Sequence, residues 1–151
     1  MKFIVDFMLG RLCKWLRLAG YDAVFFRGSD KGELIYESLR QNRVVLTRNT
    51  RITSKRVLRK VLVESDVLKE QVKQVFDELG LSVSPDRVFS RCLACNGILA
   101  ETEKEKVEGK VPAYVFQTSE KFHYCRGCGK VYWNGTHRVL VDKKLRELLE
   151  K

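Results

Sequence analysis

Two short cysteine motifs have the clearest potential chemistry in the sequence. Each is a C-x-x-C turn with a glycine just beyond it, Gly97 after the first and Gly129 after the second. A tetrahedral Zn²⁺ ion needs four soft ligands, and two such turns supply them. A site with four cysteine ligands has no open position, so its zinc would stabilise the fold rather than catalyse. We therefore predict a structural zinc ion held by Cys92, Cys95, Cys125 and Cys128.

Two disulfides, a redox dithiol or four free thiols are the alternatives, although a chain without an export signal seldom forms disulfides. The two turns are separated by 29 residues, 96–124. That spacing exceeds the roughly 15–20 residues usual between such pairs. A long hairpin between the turns would account for it. The fifth cysteine, Cys13, lies among helix-like residues and is assigned no role.

Oxygen-bearing side chains follow the apolar runs in the first half of the chain. Asp6 ends the first run, Asp30 and Glu33 open a helix-like stretch after the second, and Asn49 follows the third. In a parallel sheet, ligands bind beyond the carboxyl ends of the strands, so these oxygens are expected at one edge. Mg²⁺ and Mn²⁺ prefer oxygen ligands. A pair of such ions supports phosphodiester cleavage.

Some of these side chains also have a simpler interpretation. Asp30 and Glu33 have the N-cap and N3 spacing of a capping box, which needs no metal. Glu64 and Asp66 follow the fourth apolar run, and Asp66 is equally suited to cap a helix. Asp6 is harder to explain structurally, because a carboxylate that ends a buried strand is costly unless it is hydrated, hydrogen-bonded or metal-bound.

A basic segment lies beside these acidic residues. Residues 48–60 contain six Lys or Arg and no acidic residue. Such side chains neutralise phosphates and position a nucleic acid strand. A solvated basic helix is the alternative. The predicted phosphate contacts are Arg11, Arg48, Arg51 and Arg56.

Aromatic and basic residues are interleaved around the second cysteine turn. Rings can stack on bases while cations hold phosphates, although a small module equally needs its rings as a core. The candidate RNA contacts here are Arg126, Lys130 and Trp133. His123 and His137 lie close to the same turn, where either could ligate the metal, contact RNA or pack on the surface.

The pattern of apolar residues divides the chain in two. Up to residue 85, β-like and helix-like stretches alternate, which predicts a parallel sheet with covering helices. The predicted strands there are 2–6, 21–26, 43–47 and 60–63. The fold class is therefore α/β, with the sheet domain at 1–85 and a small β-rich zinc ribbon at 86–151.

Short β-rich runs replace the alternation from residue 86 onward. They predict strands at 98–107, 114–117 and 130–133. The charge alternation at 101–110 suggests an exposed hairpin arm. Leucines at the end of the chain predict a short C-terminal helix.

Composition limits the classes of function. The chain has 151 residues and a formal net charge of +10, which favours a polyanion partner, nucleic acid first. A merely basic surface is the alternative. No apolar run approaches the roughly 20 residues of a membrane span, and Asp6 interrupts any signal-peptide core. These features predict a cytoplasmic protein that does not act at a membrane. They leave a protein partner and the oligomeric state open.

Several runs of the sequence resemble the Mut-seven C-terminal RNase domain family, whose members are PIN-like domains often fused to a zinc ribbon. The longest is 3–22, which contains Met8-Leu9-Gly10-Arg11-Leu12 and Trp15-Leu16-Arg17. The others are Ser29-Asp30-x-x-Glu33-Leu34, Val45-Leu46-Thr47-Arg48, Phe89-Ser90-Arg91-Cys92-Leu93-x-Cys95-Asn96-Gly97, Val111-Pro112 and the run from Cys125 to His137. The resemblance covers nearly the whole chain. It implies a PIN-like α/β fold and a divalent-metal-dependent ribonuclease, with Asp6 and Asp30 at acidic positions of the metal site and Glu33 as an additional one.

One position departs from the family pattern. Members typically read Thr-Arg-Asp where this chain reads Thr47-Arg48-Asn49, and a neutral amide holds a metal less strongly than a carboxylate. Asn49 could still ligate through its oxygen, Glu64 or Asp66 could compensate, or the site could be catalytically inactive.

Three functional classes remain. The first is a metal-dependent ribonuclease whose zinc ribbon aids RNA binding. The second is a non-catalytic RNA-binding or ribonucleoprotein-associated module with a degenerate acidic site, which Asn49 favours. The third is an adaptor whose ribbon docks on a protein.

Overall fold

Four parallel strands form the larger sheet of the computed structural model, which describes residues 1–52, 55, 57 and 59–150. The strands are β1 (Lys2–Val5), β2 (Asp22–Phe25), β3 (Val44–Thr47) and β4 (Lys60–Leu62). Their order in the sheet is β2-β1-β3-β4. The predicted α/β class is confirmed, and each of the four strands ends within one residue of its predicted end.

Helices cover both faces of this sheet. The first three are α1 (Gly10–Leu18), α2 (Lys31–Arg40) and α3 (Leu68–Leu79). Phe3 and Val5 point into the core that contains α1 and α3, whereas Ile4 and Val45 pack with Leu34 of α2 on the opposite face. Alternate residues of β1 therefore serve opposite faces, and such a strand reads as a continuous apolar run.

The strand order places a switch point between β1 and β3. The chain leaves β1 for β2 on one side, then crosses back over β1 to form β3 on the other. A crevice forms beyond the carboxyl ends of the strands where the winding direction reverses, and α/β sheets bind their ligands in such crevices. Asp6 and the residues after Thr47 follow the two strands that flank this point.

A second, antiparallel sheet of three strands carries the cysteine turns. It consists of β5 (Leu99–Thr102), β6 (Phe122–Cys125) and β7 (Val131–Trp133), in that order. The strand predicted at 130–133 is confirmed. Strand β6 was not predicted, because only three residues, Phe122 to Tyr124, precede the cysteine at which it ends.

The segment between β5 and β6 is helical, so two predictions there are wrong. Residues 101–110 hold a 3-10 helix, Lys104–Val107, instead of a hairpin arm, and residues 114–117 lie in α4 (Ala113–Thr118) instead of a strand. The physical reason lies in the burial pattern. Val115 and Ser119 are buried four residues apart, which is the period of a helix. Pro112, just before α4, has the φ of −57° that suits a helix start.

The C-terminal helix α5 (Thr136–Leu149) packs against α3. Its Leu145 and Leu148 are buried in the same core as α1 and α3. The predicted C-terminal helix is present, with 14 residues. The division at residue 85 stays a prediction, and the last helix of the second segment contributes to the core of the first. In the described part of the chain, no helix combines the length and apolarity needed to cross a bilayer.

Candidate functional site

Asp6 lies at the carboxyl edge of the sheet, directly after β1. Its side chain is 5% exposed. Oδ1 accepts a hydrogen bond from the Phe7 backbone N–H at 2.8 Å, which begins the 3-10 helix Phe7–Leu9. Oδ2 accepts a hydrogen bond from the Thr47 hydroxyl at 2.6 Å. Each carboxylate oxygen has two acceptor positions, so both oxygens retain capacity for a cation.

Thr47 joins this carboxylate to the residues after β3. It is fully buried, and its Oγ1 also accepts a hydrogen bond from the Asn49 backbone N–H at 2.9 Å. The Asn49 side-chain Oδ1 in turn accepts from the Arg51 N–H at 2.9 Å, which closes a local turn. Thr47 thus links the Asp6 carboxylate to the backbone of Asn49, while the Asn49 side chain is engaged in its own turn. Sequence reasoning assigned Thr47 no role.

Asp30 and Glu33 form a separate pair. Asp30 is the N-cap of α2, and its Oδ1 accepts a hydrogen bond from the Glu33 N–H at 2.9 Å. Both side chains are exposed. Among the described residues, no hydrogen bond connects this pair to Asp6. The capping interpretation of Asp30 is confirmed, and a role of the pair in binding a metal stays a prediction.

Three of the four arginines predicted to contact phosphates lie on the described surface. Arg11, in the first turn of α1, and Arg51 are exposed. The exposed Arg48 donates from Nη2 to the Glu64 carbonyl at 3.3 Å. Arg56 lies outside the described residues. The exposed cations close to Asp6 and Asn49 in sequence therefore remain candidates for phosphate contacts.

The four cysteines of the two turns converge at one point. Their Sγ atoms all lie within 4.8 Å of one another. The Sγ–Sγ distance is 3.7 Å from Cys92 to Cys128 and 3.3 Å from Cys95 to Cys125. Four sulfurs around a tetrahedral zinc ion, each about 2.3 Å from it, would lie about 3.8 Å apart. In the described residues this is the single group of three or more Cys, His, Asp or Glu side chains close enough to share an ion.

Small residues let the two turns approach each other. A Cβ atom on Gly97 would lie 2.7 Å from Cys125 Sγ and 3.2 Å from Cys95 Sγ. Those distances are too short for a methyl group, so only glycine fits at this position. The Gly127 N–H donates to Cys125 Sγ at 3.3 Å. Backbone donors of this kind stabilise thiolates and orient metal ligands.

The four sulfurs interact strongly, so their pKa values move apart. Burial raises the pKa of Cys92, but hydrogen bonds from the Tyr132 hydroxyl and from backbone N–H groups outweigh it and lower that pKa to about 6. The Gly97 N–H lowers the pKa of Cys95, yet the neighbouring sulfurs, Cys125 first, raise it to about 12. Four adjacent thiolates repel one another unless a cation neutralises them. The donor set therefore fits Zn²⁺, which would hold all four as thiolates.

A cluster of polar contacts fixes the first cysteine turn to the edge of the parallel sheet, and sequence reasoning missed it. Arg17, buried in α1, donates from Nε to the Ala23 carbonyl at 2.8 Å. It also donates from Nη1 to the Leu93 carbonyl at 2.9 Å and to the Ala94 carbonyl at 3.1 Å. Asn96 accepts from the Ala23 N–H at 3.0 Å through Oδ1. Both outward-facing backbone groups of Ala23 on edge strand β2 are thus satisfied by side chains.

Asp22 extends the same cluster. It accepts hydrogen bonds from Arg43 at 2.6 Å and from Asn96 Nδ2 at 2.8 Å, and Arg91 lies 3.7 Å away. Burial raises the pKa of Asp22, but these neighbours together bring it below its usual value of 3.8. These partners lie from 21 to 74 positions away along the chain, so local sequence patterns carry no signal for them.

The predicted RNA contacts of the ribbon lie at its surface. Arg126 and Lys130 are exposed, and Lys130 Nζ lies 5.9 Å from the centre of the Tyr132 ring. Trp133 is 37% exposed. Burial lowers the pKa of His123, and the positive charges of Arg138 and Lys121 add to that shift. His123 is not part of the sulfur cluster, and the side chain of His137 lies outside the description.

Comparison with known proteins identifies the family. Residues 1–145 match the family model described as the Mut7-C RNAse domain. The chain belongs to the Mut7-C RNAse domain family. The match spans both sheets and reaches Leu145 of α5, so this Mut7-C domain includes the cysteine turns and the parallel sheet. Neither the curated proteins nor the solved structures yielded a match.

Proposed function

We propose that this Mut7-C RNAse domain is a divalent-metal-dependent ribonuclease that hydrolyses RNA phosphodiester bonds at the carboxyl edge of the parallel sheet. The observation that carries the proposal is Asp6, a carboxylate 5% exposed at the strand switch point with both oxygens oriented by hydrogen bonds. Within the part of the chain that the structure describes, Asp6 forms no ion pair with a basic side chain, and burying such a carboxylate is costly. A ligand site is the functional reason to retain one.

The oxygen donors at this edge suit a hard cation. In the proposal, Asp6 and Asp30 would hold Mg²⁺ or Mn²⁺, assisted by Glu33 or Asn49. Such a cation supplies positive charge that stabilises the phosphate and leaving-group oxygens during cleavage. The buried Thr47 hydroxyl fixes the rotamer of Asp6, so the carboxylate needs little reorganisation when a ligand arrives.

The basic surface provides the RNA-binding part of the proposal. Arg11, Arg48, Arg51 and Arg56 would contact phosphates near the acidic edge, and the ribbon would add Arg126, Lys130 and Trp133. With a net charge of +10, RNA binding should weaken steeply as salt rises. Zn²⁺ at the four cysteines would hold the ribbon in shape. Cysteines that bind a metal and form no disulfide also suit the reducing cytoplasm.

The test is cleavage of a labelled single-stranded RNA by the purified full chain, with Mn²⁺, Mg²⁺ or a chelator. Asp6→Asn preserves the size of the side chain and can still accept from the Phe7 N–H. Asp77→Asn, at an exposed position of α3, is the matched control. We expect metal-dependent cleavage to fall by about 100-fold or more in Asp6→Asn, because even partners outside a ligand set cost 10–100-fold. Equal cleavage by both variants would contradict the assignment of Asp6.

A second candidate is a non-catalytic RNA-binding module, and one observation favours it. Asn49 is a neutral amide whose oxygen is already engaged by the Arg51 N–H. In this case no cleavage occurs with either metal, while salt-sensitive RNA binding persists in the chelator and in Asp6→Asn. An Asn49→Asp variant that gains cleavage would identify the amide as the cause of the inactivity.

A further inference from the structure

A cavity of about 580 Å³ lies between the first cysteine turn, α4, β7 and α5, and the end of α1 also lines it. Its most buried lining residues are Leu18, at the end of α1, and Val115 of α4, which are 3% and 2% exposed. The half-buried Leu93 and Val141 add to the apolar lining. Small-molecule sites fall in the range of roughly 300–1,000 Å³ and are mostly apolar. The cavity is therefore large enough for one nucleotide.

Aromatic rings lie toward the exposed part of the cavity. Tyr114 is 68% exposed and Trp133 is 37% exposed, and both line the cavity. Tyr132 is held in place because its hydroxyl contacts Cys92 Sγ at 3.0 Å and accepts from the Leu93 N–H at 3.2 Å. Exposed aromatic side chains beside an apolar cavity are the usual platforms on which unstacked bases bind.

Two cations lie in the lining next to these rings. Lys130 is exposed, and Arg138 is fixed by stacking over the Phe89 ring at 4.8 Å and by donating to Asn134. No acidic side chain lines this cavity among the described residues. An apolar cavity bordered by aromatic rings and positive charge is complementary to a base with its attached phosphate, whereas an apolar peptide would have no use for the two cations.

We propose that this cavity binds one unstacked nucleobase of a single-stranded RNA, while Lys130 and Arg138 contact the adjoining phosphates. The proposal rests on the proposed function, because its ligand is the RNA on which the Mut7-C domain acts. Tyr114 and Trp133 hold the base by stacking, which tolerates any base. The cavity thereby grips the strand at a position separate from the acidic edge.

Trp133 itself provides the test, because the chain has two tryptophans and the other, Trp15, is on α1. A Trp15→Phe, Asp6→Asn protein leaves Trp133 as the sole tryptophan and prevents cleavage during the titration. The probes are a single-stranded RNA of about eight nucleotides, within the usual site sizes, and an abasic oligonucleotide with the same number of phosphates. End-label anisotropy reports binding, and Trp133 fluorescence reports stacking.

We expect the RNA to quench Trp133 and the abasic strand to leave it unchanged. Base–aromatic stacking is worth enough that the abasic strand should bind about 5- to 150-fold more weakly. Tyr114→Ala should weaken RNA binding, whereas Tyr36→Ala, which removes a similarly exposed ring from α2, should not. Circular dichroism and zinc content would verify that both variants are folded.

Three other results would refute the proposal that the cavity binds a nucleobase, and they can be told apart. RNA that binds as tightly as the abasic strand and leaves Trp133 unquenched overturns the cavity proposal alone and leaves the nuclease proposal standing. An apolar dye that quenches Trp133, where RNA does not, would show that the cavity takes apolar ligands and not bases, which overturns the proposal. Absence of any RNA binding would overturn both proposals.

Discussion

Asn96 allows a quantitative test of how the cysteine ribbon is coupled to the parallel sheet. Its side chain accepts from the Ala23 N–H at 3.0 Å and donates to Asp22 at 2.8 Å. Its backbone has a φ of +70°, a conformation that glycine adopts without strain and alanine does not. Asn96→Gly therefore removes the two hydrogen bonds alone, and Asn96→Ala removes them and adds backbone strain.

The expected cost follows from these contacts. Ala23 is fully buried, so its orphaned N–H should cost about 1–3 kcal/mol. The lost bond to Asp22 adds about 1 kcal/mol, because Arg43 still pairs with that carboxylate. Asn96→Gly should thus lower the free energy of unfolding by about 2–4 kcal/mol. Asn96→Ala should lower it by about 1 kcal/mol more.

Urea unfolding at a fixed zinc concentration provides the assay. With a slope near 2 kcal/mol/M, Asn96→Gly should lower the urea midpoint by roughly 1–2 M. Asn42 is the matched control, since it is exposed and has a φ of +52°. Asn42→Gly should leave the midpoint nearly unchanged. The reasoning would be refuted if Asn96→Gly shifted the midpoint no more than Asn42→Gly.

Three further predictions concern the zinc centre, the acidic edge and acid stability. Gly97→Ala should weaken zinc binding by at least tenfold, measured by competition with a chromophoric chelator, because its Cβ would lie 2.7 Å from Cys125 Sγ. Thr47→Val should destabilise the protein by about 1–3 kcal/mol in urea unfolding and lower cleavage, because it leaves a buried Asp6 oxygen unsatisfied. The pKa of Asp22 is lower in the folded state than in the unfolded state. Its ionised form therefore stabilises the fold at any pH above the pKa of the unfolded state, and this stability is lost as the pH falls through the pKa of the folded state. Asp22→Asn should therefore lose stability at pH 7, and its deficit in urea unfolding should shrink below about pH 4.

Each of these predictions has a control at a less constrained position. Gly10→Ala should retain zinc affinity, because its Cβ would make only ordinary contacts, the nearest at 3.5 Å to Phe25. Thr50→Val changes an exposed hydroxyl and should leave stability and cleavage unchanged. Asp77→Asn changes an exposed carboxylate of α3 and should leave stability at pH 7 nearly unchanged. Equal effects of a variant and its control would contradict the corresponding contact.

The sequence predicts the parallel sheet well because its strands are short apolar runs, and the two central ones, β1 and β3, are buried on both faces. The cluster of four cysteines is equally predictable, because two C-x-x-C turns in one chain imply that their sulfurs converge on one metal ion. Residues 114–117 were misassigned because their aromatic and β-branched side chains favour a strand, while the preceding Pro112 and the burial of every fourth residue decide for a helix. Tertiary packing overrides intrinsic preference in such short segments.

The contacts of Arg17 and Asn96 could not be predicted from local patterns. Both residues reach partners far along the chain, and neither breaks the periodicity of its own segment. The role of Thr47 was similarly hidden, because a threonine at the end of a strand also fits ordinary β-propensity. The acidic edge was only partly predictable, since Asp30 and Glu33 satisfy a helix cap whether or not a cation binds.

Helix α1 also sets a length scale for any RNA that engages both ends of the molecule. It begins four residues after Asp6 and ends at Leu18, which lines the cavity proposed to bind a base. Its nine residues span about 14 Å, or roughly four phosphates at the 3.4 Å spacing of a stacked strand. Under the two proposals, an RNA held in the cavity would reach the acidic edge about four phosphates from the gripped base. RNA fragments too short to span this spacing would dissociate from the cavity, so digestion would leave products of a characteristic minimum length.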